Sequence, residues 1–252
     1  MIDPRIEMMK ARTSRIENIV LFVSGKGGVG KSLLPSAVSY ILSERGYETV
    51  YLDLDFHGPS GQNLFHLDKL MEGGKSGLKT ALSGKVKVAS IGYMVKDNPL
   101  PLSGVDRMEV LLDFFSILYF GELDFLIVDL PPGMGEETIF LQRMFREKLS
   151  AVVVTLNSQM SLTTVKRVVN YLKVQKIGII GAVVNMSNLF GKYEPEQVSR
   201  ELGIEVIGSI TYHPEVEQYK TIKDKLEKTP RFMFEIERLV EKMLGKLSRR
   251  LT

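Results

Sequence analysis

Gly25-Lys26-Gly27-Gly28-Val29-Gly30-Lys31-Ser32 is the stretch whose reading decides the fold of this 252-residue chain. The apolar run Ile19-Val20-Leu21-Phe22-Val23 precedes it, and a helical pattern from Lys31 to Arg45 follows. Glycines let the backbone curl so that successive N–H groups point inward, and a helix N-terminus adds partial positive charge. The segment therefore predicts a phosphate-binding loop. In that loop Lys31 reaches the β- and γ-phosphates, and the Ser32 hydroxyl ligates Mg²⁺. Lys26 is not needed for the loop geometry and requires its own explanation.

The same letters also satisfy G-x-G-x-x-G, with Gly25, Gly27 and Gly30 as the three glycines. A dinucleotide fold is thus an alternative, with Asp53 at the end of the next strand as its ribose carboxylate. Three features favour a nucleoside triphosphate. Lys31-Ser32 directly follows the last glycine, where a dinucleotide fold uses neither an ammonium nor a hydroxyl. Phe125-Leu126-Ile127-Val128-Asp129 reads as a buried strand ending in a carboxylate fit to hold a Mg²⁺-bound water. Leu130-Pro131-Pro132-Gly133 then makes a tight loop that would lie near the phosphates.

Composition narrows the function classes. A 44% hydrophobic content over this length buries one substantial core, read here as a single P-loop domain over 1–252. The 33 basic and 30 acidic residues nearly cancel, which gives no reason to expect nucleic acid or an acidic membrane as partner. No apolar run approaches the roughly 20 residues that span a bilayer. The first eighteen residues mix charges and lack a signal-peptide core, so a cytoplasmic location is expected. With no cysteine at all, the chain offers no disulfide, zinc thiolate or thiol nucleophile, and cannot hold an iron–sulfur cluster by its own thiolates. His57, His66 and His213 are too scattered to suggest a metal site.

Apolar runs and helical patterns alternate along the chain. This predicts an α/β fold: a mostly parallel sheet of seven to eight strands with helices on both faces. The expected strands are Ile19–Ser24, Thr49–Leu54, Val86–Tyr93, Phe125–Leu130, Ala151–Leu156, Gly178–Asn185 and Glu205–Ile210. Helices are expected over Lys31–Arg45, Val105–Phe120, Glu137–Lys148, Leu162–Val174 and Pro195–Leu202. Residues 1–18 read as an N-terminal extension. Residues 58–85, glycine-rich and irregular, read as an insertion that leaves the sheet. Over 230–252, Thr229 and Pro230 open a helix in which Ile236, Leu239, Val240, Met243, Leu247 and Leu251 recur at helical spacing. Its polar face is mixed in charge, which favours packing on the sheet over a basic membrane tail. Pro35 is expected to kink the first long helix or remove one of its bonds, at a cost of up to ~3 kcal/mol.

In these motifs the chain resembles the MinD/Mrp-type ATPases, the deviant Walker A class of P-loop proteins, in register from about Ile19 to Glu215. The resemblance implies ATP or ADP with Mg²⁺ as cofactors and an ATP-dependent homodimer. Lys26 resembles the extra lysine that crosses to the partner's phosphates, and Asp55 resembles the switch I aspartate that orients the attacking water. Asp129 to Gly133 resembles switch II, with Gly133 placed to sense the γ-phosphate. Asn185-Met186 resembles the pair whose asparagine reads the adenine edge. Gly58-Pro59-Ser60 and Asn185-Met186 point to the Mrp branch.

By that resemblance Lys26, Lys31 and Asp55 are the catalytic residues, and Gly25 to Ser32, Gly133 and Asn185 bind nucleotide. Ser32, Asp55 and Asp129 are the metal group. Asp53 is read equally as an acidic ligand or as a structural neighbour. One departure stands out: Mrp-type carriers have Cys-x-x-Cys soon after the Asn-Met pair, where this chain reads Ser187-Asn-Leu-Phe-Gly-Lys-Tyr193. A narrower match is the opening Met1-Ile-Asp-Pro-Arg5, the Asp55-Phe-His57-Gly58 segment and the missing cysteines. These resemble the archaeal hydrogenase-maturation ATPases of the HypB type. That match implies a metalloprotein maturation factor working with a metallochaperone of the HypA type, or with an apo-metalloprotein client, in nickel delivery. A MinD-like membrane-positioning switch, or an iron–sulfur assembly ATPase that works without its own cluster, is the alternative.

Overall fold

The computed structural model describes residues 3–56, 58–67, 71–74, 77–92, 104–145, 147–191 and 193–249, with the side chains of 104–106 excepted. Helix α1 (Pro4–Thr13) leads into strand β1 (Ile16–Ser24), which the glycine loop joins to α2 (Leu33–Glu44). Then come β2 (Thr49–Asp53), α3 (Gly61–Phe65), β3 (Glu72–Gly74), β4 (Gly77–Lys79), β5 (Ala81–Ser83) and β6 (Val86–Ser90). They are followed by α4 (Gly104–Ile117), β7 (Leu118–Tyr119), β8 (Leu123–Asp129), α5 (Glu136–Phe145) and β9 (Leu149–Leu156). Next are α6 (Gln159–Val174), β10 (Gly178–Asn185), α7 (Ser187–Phe190), α8 (Pro195–Leu202) and β11 (Val206–Ile210). A 3₁₀ turn (Pro214–Gln218), α9 (Ile222–Glu227) and α10 (Pro230–Ser248) end the described fold.

Eight strands form the main sheet in the order β11-β10-β9-β1-β8-β2-β6-β5. All pairings are parallel except β5 with β6. Strand β1 is central and apolar throughout its inner length because both faces are covered. Its side chains alternate between two cores. Ile19, Leu21 and Val23 join Leu111, Phe140 and Val165 on one face, while Val20 and Phe22 join Leu34, Val38 and Leu239 on the other. The chain leaves β1 toward β2 in one direction and β8 toward β9 in the other. The crevice at the carboxyl ends of β1, β8 and β2 is therefore the topological switch point where α/β sheets bind ligands.

The predicted core strands and long helices all occur, with ends shifted by a few residues; Tyr93, Arg146 and 250–252 lie outside the described residues. Three expectations are refined or corrected. The N-terminal extension is a helix through Thr13, capped by the Asp3 carboxylate, which accepts the Arg5 N–H at 2.9 Å, with Pro4 in its first turn. Pro35 removes no hydrogen bond from the helix. The helix starts at Leu33, so Pro35 sits in the first turn, where its missing N–H would have no helical acceptor; the Ser36 N–H begins the ladder at the Ser32 carbonyl.

The third correction is that the 58–85 segment does not simply leave the sheet. Ala81–Ser83 folds back through the turn at Gly84-Lys85 and pairs antiparallel with β6, covering its edge. β3 and β4 join β7 in a separate three-stranded sheet. Helix α10 packs with β11 and α2, burying Phe232, Ile236, Leu239, Val240, Met243 and Leu247. Among the described residues no helix is long and apolar enough to cross a membrane.

Candidate nucleotide site

The glycine loop lies where the fold predicts a ligand. Ser24, Lys26 to Leu33, Asp55, Ser60, Asn63, Leu64 and Pro132 line an open cleft of about 460 Å³. The loop's shape follows from its sequence. Gly28 and Gly30 adopt φ of +73° and +70°, which side-chain-bearing residues rarely adopt. A Cβ on Gly25 would lie 2.8 Å from the backbone of Thr164 in α6, so only glycine lets that helix approach. The Ser24 hydroxyl donates to the Lys26 carbonyl at 3.0 Å and closes the first bend.

Lys31 is buried and forms an ion pair with Asp129 Oδ1, and Asp129 is wholly buried at the end of β8. The Tyr51 hydroxyl donates to the other carboxylate oxygen, Oδ2, at 3.1 Å. Burial and the nearby Asp129 charge push the Tyr51 phenol well above its usual range, so it is a donor at neutral pH. Lys26 is half-buried at the cleft, and no carboxylate among the described residues claims its ammonium. Ser32 precedes α2 without capping it, which leaves its hydroxyl unspent on its own helix.

Asp53 and Asp129 are register partners on adjacent strands. The Asp53 carboxylate accepts N–H bonds from Asp55 at 3.0 Å and from Ser60 and Gly61 at 2.9 Å. It thus ties both ends of the loop that carries Asp55 to the end of β2, the structural alternative of its two readings. Burial, then the Asp129 charge, push its pKa up to about 7. Asp55 faces the cleft and its own carboxylate accepts the Gly58 N–H at 3.1 Å.

Four predicted site residues stand behind the cleft rather than on its lining. Gly25 packs on α6, and Asp129 lies beneath Lys31. Asn185 is buried, and its side-chain amide donates to the Val29 carbonyl at 2.8 Å, so it straps the loop from behind. Gly133, at φ +91°, donates its N–H to the Ser24 carbonyl at 2.9 Å, where the expectation had it turned to phosphate. His57 lies outside the described residues.

Sequence reasoning missed Tyr51 and Arg107. Arg107 lies over the Phe56 ring and within 3.8 Å of Glu137, linking the segments that follow β2 and β8. Nothing in the local sequence marked either, because each finds its partner across the sheet or between helices.

Hard oxygen donors dominate the site, and among the described residues no group of three or more His, Asp and Glu side chains gathers to cage a metal. Oxygen donors are the ligand type Mg²⁺ takes, usually one or two from the protein and the rest from water and phosphates. Of the expected metal group, Ser32 and Asp55 line the cleft, and Asp129 lies buried behind it on Lys31.

A strand-loop-helix with two lysines, ending on a buried carboxylate across the sheet, defines a P-loop NTPase of the MinD/ParA fold. The chain belongs to the ParA family described as NUBPL iron-transfer P-loop NTPases, whose family model matches residues 15–247. Among its relatives, an iron–sulfur cluster carrier protein of Methanocaldococcus jannaschii is 30% identical over 80% of this chain and 75% of its own length. The cytosolic Fe-S cluster assembly factor CFD1 of Saccharomyces cerevisiae is 28% identical over 85% of this chain and 80% of its own. A nucleotide-binding protein of Archaeoglobus fulgidus, solved in complex with ADP, superposes with a TM-score of 0.74 at 26% identity, covering 91% and 96% of the two chains. The likeness to hydrogenase-maturation ATPases finds no support among these relatives, and neither does nickel delivery.

Proposed function

We propose that this chain is a Mg²⁺-dependent ATPase, acting as a two-subunit switch in iron–sulfur cluster assembly while partner proteins hold the cluster. The observation that carries the switch is the separation of the two lysines: Lys31 is buried on Asp129 and Lys26 stands at the mouth of the cleft. Phosphoryl transfer needs positioning and charge neutralisation more than covalent help. Backbone amides of Gly28 to Lys31 and the Lys31 ammonium offset phosphate charge, and Ser32, with Asp129 through water, holds the metal. Bound Mg²⁺ would supply positive charge that offsets the charge of the phosphates. Asp55 positions the attacking water, Lys26 completes the site of the second subunit, and Asn185 meets the adenine with the groups its strap leaves over.

Membership of the family and the names of its relatives support the iron–sulfur setting. The absence of cysteine assigns the cargo to others. The MinD-like membrane reading is weaker, since the apolar stripe of α10 is already buried against the sheet.

Lys26→Ala tests the switch. Nucleotide affinity should hold, while ATP-dependent dimerisation disappears in sedimentation and turnover falls at least ~100-fold, as for other cations supplied in trans. A wild type that hydrolyses ATP at full rate as a monomer refutes the trans role. Affinity capture from native cells with ATP or ADP should recover cluster-scaffold proteins; recovery of a nickel chaperone instead would reinstate the hydrogenase reading.

A further inference from the structure

The middle of β2 is a place for apolar packing, and its neighbours Val50 and Leu52 are fully buried. Tyr51 brings a hydroxyl there. Removing a hydroxyl from water costs free energy unless it finds a partner, and a phenylalanine or leucine would fill the core without that cost. The ring is held tightly: it tilts against Phe65 with centroids 4.9 Å apart, and a Cβ on Gly61 would lie 2.9 Å from its edge. Held this way, the hydroxyl reaches diagonally across the sheet. Tyr51 pairs in register with Ile127, and its oxygen meets the side chain two residues further on, Asp129.

Asp129 consequently has its two oxygens assigned to different partners, Oδ1 to Lys31 and Oδ2 to Tyr51. The two partners differ in permanence. Lys31 is the ammonium that phosphates would draw toward themselves, whereas Tyr51 is fixed in the core. We propose that Tyr51 is a positioning residue: its hydroxyl holds the Asp129 carboxylate in the orientation that receives Mg²⁺ once a nucleotide has taken Lys31. The inference rests on reading the cleft as a Mg²⁺–nucleotide site. Partners that orient a metal ligand without touching the metal commonly govern metal affinity.

Tyr51→Phe removes the hydroxyl and keeps the ring contact with Phe65. In the folded variant, ADP affinity without Mg²⁺ should stay within about twofold of wild type, while the Mg²⁺ concentration that half-maximally enhances ADP binding rises roughly tenfold. An unchanged Mg²⁺ half-saturation overturns the proposal and leaves Tyr51 as a packing residue. A wild type whose ADP affinity ignores Mg²⁺ refutes the reading of the cleft itself, which is a different outcome. As a measurement that needs no substitution of the hydroxyl, 3-fluorotyrosine placed at position 51 reports on its surroundings by ¹⁹F resonance. Adding Mg²⁺ to the ADP-bound protein should move that resonance, and a resonance that stays fixed overturns the proposal.

Discussion

Two segments that each follow a strand of the same sheet are built in contrasting ways. The loop after β1, residues 25–32, buries Val29 and Lys31, is walled by α6 and is strapped by Asn185. The segment after β10, described at residues 186–191 and 193, starts beside that strap and then turns outward. Its short helix α7 buries no residue, and Leu189 and Phe190 are 48% and 43% exposed. Met186 and Tyr193 at its ends pack on the two cores, and polar contacts add to this: Asn188 with the Tyr212 backbone, and the Tyr193 N–H on Asn157 Oδ1 at 2.8 Å. The proposed phosphate handling is thus written into the core, where a change disturbs packing and charge together. The place where Mrp-type carriers have their cysteine pair is a surface feature here, and a thiol can be present or absent there at little cost to the fold.

Substitutions in the two segments should therefore differ sharply. Lys31→Ala should have the largest effect. It removes the main cation proposed for a triphosphate and leaves the buried Asp129 charge without its cationic partner, at a cost of about 3–5 kcal/mol. Calorimetry should detect no ADP binding, and retained affinity would break the contrast at its strongest point. Gly30→Ala should come next. The new Cβ would lie 2.4 Å from Asn185 Nδ2 at a φ of +70°. Strain of about 1–3 kcal/mol should show in urea unfolding, together with at least a tenfold loss of nucleotide affinity.

Asp53 should give a smaller, pH-dependent effect. Its pKa is raised in the fold, from 3.8 to about 7, so the folded state keeps a proton that the unfolded chain has lost. Its contribution is therefore fully present below the lower value and fades as pH rises between the two. The nucleotide-free protein should lose urea resistance across that window relative to Asp53→Asn and show no further Asp53 effect above it; a parallel pair of curves would rule this out. Leu189→Ser and Phe190→Ser should do least, each within about 0.5 kcal/mol of wild-type stability and without effect on ADP affinity. A large loss of nucleotide binding in either would mean that the outer segment belongs to the site after all.

The features legible in the sequence were those whose signals are local. Apolar runs such as Phe125 to Val128 marked strands by themselves, and Gly25 to Ser32 marked the loop by spacing. The Asp3-Pro4 start of α1 was also local, a cap followed by proline, but the charges around it obscured the helix. β5 stayed hidden because three residues, Ala81–Ser83, make a strand only through their pairing with β6. The roles of Tyr51 and Asn185 depend on partners far along the chain: 78 residues for Tyr51 and Asp129, and 156 for Asn185 and Val29. Such distances are set by strand order and register, which no local pattern encodes. The chain's resemblance to its family marked Asn185 as a base reader. Only the fold reveals its grip on the loop.

That grip has a consequence for how a ligand is met. A flexible glycine loop would have to be ordered at the moment of binding, with a loss of conformational freedom charged against affinity. Here the left-handed turns at Gly28 and Gly30, the wall of Thr164 and the strap from Asn185 fix the loop during folding. The proposed anion receptor is therefore shaped before anything arrives, and little of the binding free energy goes into ordering it.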